Sequence, residues 1–294
     1  MSLTETAAPT APQHNRPDPP SKLPKTLGLL GMLGLVLLAI RIADAPWTRV
    51  LDIPDKMQQY GALMSAGVFR DPTEVPYDGY WATSFELMVE SLQIAWIGTV
   101  IGALFSFPIA FLAASNISPA PVSFLARQFL NSIRAIPEII LAIAIMLPIF
   151  GLGPLAGALA LGVHSIGTLG KLTSEAIEGI VPGPVEAVRA TGSSPLQTVR
   201  WAVIPQVLPD TVAFWLYRFE VNIRASAVLG VLGAGGIGSL LSQLFRHREW
   251  ERIGIALVVV IVVTIAVDQV SAAVRRRIIH GSSVRSVANG SDLA

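Results

Sequence analysis

The sequence predicts an all-α integral membrane protein with about six transmembrane helices. Three observations point to it. Only 14% of the 294 residues are charged, against about 25% in a typical soluble domain. Hydrophobic residues make up 52% of the chain, and the mean hydropathy is +0.59. Long uncharged stretches recur at spacings that suit helices of membrane length. A water-soluble enzyme of this size needs more polar surface than this chain supplies. The formal net charge of +1 is too balanced for a nucleic-acid binder that relies on a broad positive field. The absence of cysteine excludes disulfides, thiolate metal sites and cysteine nucleophiles. His14, His164, His247 and His280 lie too far apart for metal-ligand spacing.

The elements follow in order. Leu27 to Ile40 is an uncharged run between Lys25 and Arg41, long enough to span if it extends to Ala43. Ser91 to Ala126 carries no charge but is too long for one helix. Asn116-Ile-Ser-Pro-Ala-Pro121 divides it. This predicts a second span over 86–115 and a third over 122–147. The stretch 148–154, with Gly151 and Gly153, reads as a tight turn. A fourth span is expected over 155–178, a fifth over 207–232 and a sixth over 253–274. Between Asp55 and Val68, the helical spacing of Met57, Tyr60, Met64 and Val68 predicts a short amphipathic surface helix. Trp47, Trp81, Trp201 and Trp250 fall near predicted helix ends, as interface anchors do.

Charge sets the expected orientation. Arg16, Lys22 and Lys25 precede the first span, and Arg275, Arg276 and Arg277 follow the last. Both termini are therefore placed in the cytoplasm of a multi-pass protein of the plasma (inner) membrane. The external segment is rich in acids: Asp44, Asp52, Asp55, Asp71, Glu74, Asp78 and Glu86, against Arg49, Lys56 and Arg70. Arg246, Arg248 and Arg252 resist this assignment, being only partly offset by Glu249 and Glu251. Ala43-Asp44-Ala45 resembles a cleavage site, but the long segment before the apolar run favours an uncleaved anchor. The expected organisation is a disordered cytoplasmic tail (1–24), a first helix with an external segment (25–84), a transmembrane domain (85–280) and a flexible cytoplasmic tail (281–294).

The most informative stretch is polar and lies between the fourth and fifth spans, from Val181 to Pro205. It reads as two short helices. Pro184 suits a first helical position, Glu186 favours the helix dipole, and Gly192 suits a left-handed cap. Ser194 and Gln197 form a capping box around Pro195, and Leu196, Val199 and Val203 make an apolar face. Ala187, Val188 and Ala190 keep the first helix smooth enough to enter a groove on another protein. An ordinary connecting loop accounts for the same residues equally well.

Glu186-Ala187-Val188, with Arg189 next, then Gly192, then Ile204-Pro205, resembles the "EAA" loop of ABC importer permeases. That pattern is Glu-Ala-Ala, three residues, Gly, nine residues, then Ile-x-Leu-Pro. The chain departs from it at Val188, Ala202 and Ile204 while keeping small or apolar character. Arg134-Ala-Ile-Pro-Glu138, Tyr217-Arg-Phe-Glu-Val-Asn-Ile-Arg-Ala225 and Val228-Leu-Gly-Val-Leu-Gly-Ala-Gly-Gly-Ile-Gly238 look like the phosphonate/phosphate-ester importer permeases. The resemblance covers roughly residues 80–280. It implies a type I, methionine-importer-like permease fold with a cytoplasmic coupling helix. It also implies a permease homodimer in membrane lipid, two ABC ATPase subunits that bind ATP and Mg, and an extracytoplasmic substrate-binding protein. No cofactor in this chain and no nucleic-acid partner are implied.

Charges inside a membrane face a cavity or a partner. Arg134 and Glu138, four residues apart, can pair along a helix or simply anchor its cytoplasmic end. Arg218, Glu220, Asn222 and Arg224 fall within the fifth span. They can line a path for an anion, because arginine suits phosphoryl oxygens, or hold helices together through a Glu220–Arg224 pair. His164, Ser165 and Thr168 read as interhelical hydrogen-bonding groups. Gly230 to Gly238 lacks the lysine of a nucleotide-binding loop. Its glycines suit close helix approach, or a break that exposes backbone N–H groups to an anion. The expected function is the permease subunit of an importer for phosphonate, phosphate or related phosphorus oxyanions, working by alternating access. A permease for another small solute such as an amino acid and an ion-coupled secondary transporter, with Asp268 its one stray carboxylate, are the alternatives. An intramembrane enzyme lacks a nucleophile–base pair.

Overall fold

The structure is a computed structural model that describes residues 23–43, 46–75 and 77–290. The expectation of a disordered tail falls almost wholly outside the described residues, as do Asp44 and Ala45 of the cleavage-like tripeptide. The described residues are helical throughout their regular structure, and they fall into two units, 1–57 and 58–294.

In the first unit, α1 (Leu23–Ile42) is apolar along its length and exposed at every position from Lys25 onward. Its 20 residues give about 30 Å of helix, the thickness of a bilayer core. A single 3-10 turn follows at Trp47–Val50. The Trp47 indole N–H donates to the Ile40 carbonyl at 3.2 Å. α2 (Ile53–Phe69) begins in this unit with a Lys56–Asp52 ion pair at 3.9 Å.

In the second unit, α2 continues as the amphipathic helix that its spacing predicts. Tyr60 stacks on Trp250 with ring centroids 4.5 Å apart, and Met64 packs beside Ile253 and Leu244. α3 (Tyr80–Ala113) and α6 (Pro154–Glu178) form the spine of the bundle. Small residues let them approach. A Cβ on Gly98 would meet the Leu161 side chain at 2.8 Å, and one on Gly162 would meet Ile101 at 2.8 Å. A Cβ on Gly102 would overlap Ser165. Between membrane helices such close approach supplies the dispersion contacts that the hydrophobic effect does not. Gly102→Leu is therefore expected to overpack the seam by about 1–3 kcal/mol. The check is a lower thermal midpoint of the detergent-solubilised chain; an unchanged midpoint would show the seam to be slack.

The third predicted span is broken. α4 (Ala120–Ala135) stops at Ile136, whose backbone is extended (φ −91°, ψ 117°), and the chain resumes as α5 (Glu138–Phe150) at an angle of 85°. Pro137 is the cause. It cannot donate to the helical ladder, and it pushes the residue before it out of the α region. α5 contains a π-helical turn at Ala142–Met146 and ends at Gly151 (φ +78°) and Gly153 (φ +139°).

The fifth predicted span starts earlier than expected. α7 (Pro182–Ala190) is followed by a long helix, α8 (Pro195–Ala234), which carries the capping box straight into the bundle. A π-helical turn at Val199–Val203 precedes Pro205, which has no N–H to return to the turn before it. α8 ends in a second π-helical turn at Gly230–Ala234. Gly233 (φ +100°), Gly235 (φ +81°) and Gly236 (φ +67°) then bend the chain by 57° into α9 (Gly236–His247). The sequence does not predict α9. α10 (Trp250–Gly290) is a single helix that continues to Gly290, through part of the predicted flexible tail.

Among the described residues, four helices are long and apolar enough to cross a membrane, or up to six if each bent pair counts as one span. Where α2, α3 and α10 meet, Arg252 pairs with Glu249 at 2.9 Å and lies 3.9 Å from the Tyr80 ring centroid. Arg70 faces Glu251 at 3.9 Å. Of the arginines at the start of the last span, Arg252 is thus committed to an acidic and an aromatic partner. Tyr77 donates to Glu251, and this hydrogen bond, followed by burial, raises the phenol above its ordinary pKa.

Candidate coupling segment and intramembrane polar cluster

The candidate coupling segment is mounted on one end of the bundle. Glu178, at the end of α6, accepts from the Ser115 N–H and hydroxyl at 2.7 Å each and pairs with Arg127. Arg127 Nε donates to the Ala113 carbonyl at 2.8 Å, and the Asn116 amide donates to the Ile177 carbonyl at 2.7 Å. The α3–α4 turn and the end of α6 are thereby tied together just before α7 begins. Sequence reasoning missed Glu178 and Arg127. Their signal was a charge at each of two predicted helix ends, with nothing to say that the ends meet.

α7 starts at Pro182, two residues before the proline expected there. Val185 buries into a cluster with Ala110, Ile177, Val203 and Val207. Glu186, Ala187 and Arg189 are exposed, and Val188 is half-buried. The Val188 carbonyl accepts from the Thr191 hydroxyl at 2.7 Å and the Ser193 hydroxyl at 2.8 Å, closing the helix end. Gly192 is left-handed (φ +79°), and a Cβ there would meet nothing within 4 Å. The capping box has both of its hydrogen bonds. The Ser194 N–H donates to the Gln197 side chain at 2.8 Å, and the Gln197 N–H donates to the Ser194 hydroxyl at 3.4 Å. Ile204 is half-buried and Pro205 exposed, in the third turn of α8.

The apolar face expected of Leu196, Val199 and Val203 needs correction. Val203 is buried and Val199 half-buried, but Leu196 is 82% exposed because it lies in the first turn of α8, outside the bundle. Trp201 is 66% exposed. A cavity of about 630 Å³ lies behind α7, between Glu178 and Val203, and Glu186 and Arg189 line it.

The intramembrane charges meet in a second group. Ser165 lies near the middle of α6, so whatever it touches is far from both helix ends. Arg218, from α8, is buried. Its Nε donates to the Ser165 hydroxyl at 2.9 Å, and its Nη2 pairs with Glu138 at 3.2 Å. The fully buried Asn222 donates to Thr99 at 2.9 Å and to Ser165 at 3.1 Å. His164 Nε2 is 4.0 Å from Glu138, and its Nδ1 is 3.2 Å from the Ile136 carbonyl, an acceptor released from the helical ladder by the break.

Two expected pairings do not form. Arg134 and Glu138 are separated by the elbow at Pro137, and Glu138 turns to Arg218 instead. Arg134 itself lies in the last turn of α4. Its side chain lies against Gly167, near the middle of α6, at 2.8 Å from the position a Cβ would take. Glu220 pairs with Arg275 at 2.6 Å and Arg224 with Asp268 at 3.7 Å, both across to α10, in place of a Glu220–Arg224 contact. The glycine break also differs from its expectation at Ile237, whose N–H is taken by the Ser91 hydroxyl at 2.9 Å. Among the described residues no group of three metal-ligating side chains is gathered.

An all-helical bundle of membrane-length helices, with a polar cluster at mid-depth and a capped helical segment at one end, defines a multi-pass membrane protein. The family described as the binding-protein-dependent transport system inner membrane component matches residues 106–280, and the chain belongs to it. It is 38% identical over 216 residues to the phosphate-import permease protein PhnE of Mycolicibacterium smegmatis, a match over 73% of this chain and 40% of that protein. The chain thus corresponds to less than half the length of that relative. It is 42% identical over 190 residues to the phosphite transport system permease protein PtxC of Stutzerimonas stutzeri, covering 64% of this chain and 69% of the relative. The fold is similar to the solved inward-facing MetNI methionine ABC transporter, with a TM-score of 0.60 at 22% identity over 70% of this chain and 99% of that one.

Proposed function

We propose that the chain is the permease subunit of an ATP-driven importer of phosphorus oxyanions: phosphonate, phosphate or phosphite. The observation that carries the reading is the exposed, doubly capped segment from Pro182 to Gln197, rooted in the bundle through Val185 and the Glu178–Arg127 tie. A rigid helix at the end of a movable bundle can pass a push from a soluble motor to membrane helices. The names of the phosphate-import and phosphite relatives support the cargo.

The working complex in this reading is a permease homodimer with two ABC ATPase subunits and an extracytoplasmic binding protein. ATP and Mg are held by the ATPases. Both termini, and the segment around Glu186, Ala187, Val188, Arg189, Gly192, Ile204 and Pro205, face the cytoplasm. The binding protein delivers the anion, ATP-driven closure moves α7, the bundle reorients, and hydrolysis resets it. Arg134, Glu138, Arg218, Glu220, Asn222 and Arg224 form the polar seam beside the path.

The test is uptake of labelled phosphate and methylphosphonate by proteoliposomes that hold the chain with its ATPase and binding protein. The expected result is uptake that requires both partners and ATP. Uptake without the ATPase overturns the reading. A second reading, import of an amino acid, rests on a 26% identical relative named as a probable D-methionine permease of Haemophilus influenzae, matched over 64% of this chain. Methionine uptake that phosphate does not compete against would favour it.

A further inference from the structure

We propose that the elbow between α4 and α5 is a transit site for the oxyanion, with Arg134 as its anion-binding group and Glu138 as a built-in competitor for Arg218. This rests on the importer reading above and adds to it a place where the cargo pauses.

Depth and exposure carry the argument. Arg134 is exposed, yet its stem lies against Gly167, near the middle of a helix that spans the bundle. Among the described residues it forms no ion pair. A lone guanidinium at the centre of a bilayer is costly, about 2.5–3.5 kcal/mol on insertion scales, so such a group faces a cavity or a partner. The other arginines of the seam are committed: Arg218 to Glu138 and Ser165, Arg224 to Asp268, and, near the end of the last span, Arg275 to Glu220. The two pairs between α8 and α10 cancel in charge. At the elbow, Arg134 in the last turn of α4 and Arg218 outnumber Glu138. The elbow is thus the part of the seam with positive charge to spare.

The competitor explains release. A site on a transport path must attract its cargo and let it go. Glu138 is 26% exposed and lies 3.2 Å from Arg218. An oxyanion held by Arg134 can displace this carboxylate from the edge of Arg218, and the return of the carboxylate expels it. Arginine presents its N–H groups in a fork that fits the oxygens of a phosphoryl group. The chain turns by 85° at this point, and Ile136 and Ile139 beside it are each 39% exposed.

The experiment measures phosphate and methylphosphonate uptake by proteoliposomes of the full complex, together with ATP hydrolysis stimulated by the binding protein. Arg134→Gln is expected to lower uptake about ten- to a hundredfold, the worth of a charge-assisted hydrogen bond, while ATP turnover stays near wild type. Arg134→Lys should recover part of the loss. Glu138→Gln should lower both the apparent KM and the maximal rate, because the anion stays longer. Wild-type uptake by Arg134→Gln overturns the site. So does a loss of uptake and ATP turnover together that lysine does not relieve, or a Glu138→Gln variant with raised KM. If the unaltered complex moves neither probe and no phosphite, the importer reading itself fails, a result distinct from each of these.

Discussion

Replacing Arg218 with leucine is expected to destabilise the chain by about 3 kcal/mol, near the lower end of the cost of breaking a buried ion pair. The guanidinium joins three elements: α8, which carries it, Ser165 of α6 and Glu138 of α5. Its loss leaves Glu138 with only the His164 ring, at 4.0 Å. Partial exposure of the carboxylate keeps the cost below that of a fully enclosed charge. The double variant Arg218→Leu/Glu138→Leu should recover most of the stability, because no charge is then left without a partner. Thermal midpoints of the three chains in one detergent decide the matter. If the double variant is as unstable as the single, the pair is not what holds the elbow to the bundle. Even a stable double variant should not transport, since the elbow would have lost both the competitor and the group it competes for.

The parts of this arrangement that were legible in the sequence are those decided locally. Length and hydropathy place the cores of α1, α3, α6 and α10, because a membrane helix satisfies its own backbone and needs only an apolar run. The capping box at Ser194 and Gln197 and the left-handed cap at Gly192 were readable because each is set within four or five residues. The charges were not readable in this way. Spacing along one helix suggests Arg134 with Glu138 and Glu220 with Arg224. One proline turns the first pair apart, and α10 supplies a nearer partner to each member of the second. Which helix lies beside which is a tertiary fact that spacing does not encode. α9 was hidden for a related reason. The glycines before it read as a break, and its buried leucines, Leu240 and Leu244, make sense only against α10 and α3.

Gly192→Asp and Glu186→Lys are each expected to abolish stable capture of the ATPase, with co-purification falling at least about tenfold, the loss of about 1.4 kcal/mol or more of interface energy. Gly192 is left-handed, with open space where a side chain would go. Aspartate tolerates that backbone better than most residues do. The fold should therefore stand, while a carboxylate is set on the face offered to the partner. Gly192→Asn is the control, since it brings the same shape without the charge and should retain more of the ATPase. Glu186→Lys acts differently. Glu186 and Arg189 share the cavity behind α7, and a lysine there places like charges side by side where opposite ones stood. Thermal midpoints near wild type would separate lost docking from lost folding. Unchanged capture in both variants would mean that α7 is only a connecting loop. The push would then have to enter through other exposed apolar groups near it, Val181, Leu196 and Trp201.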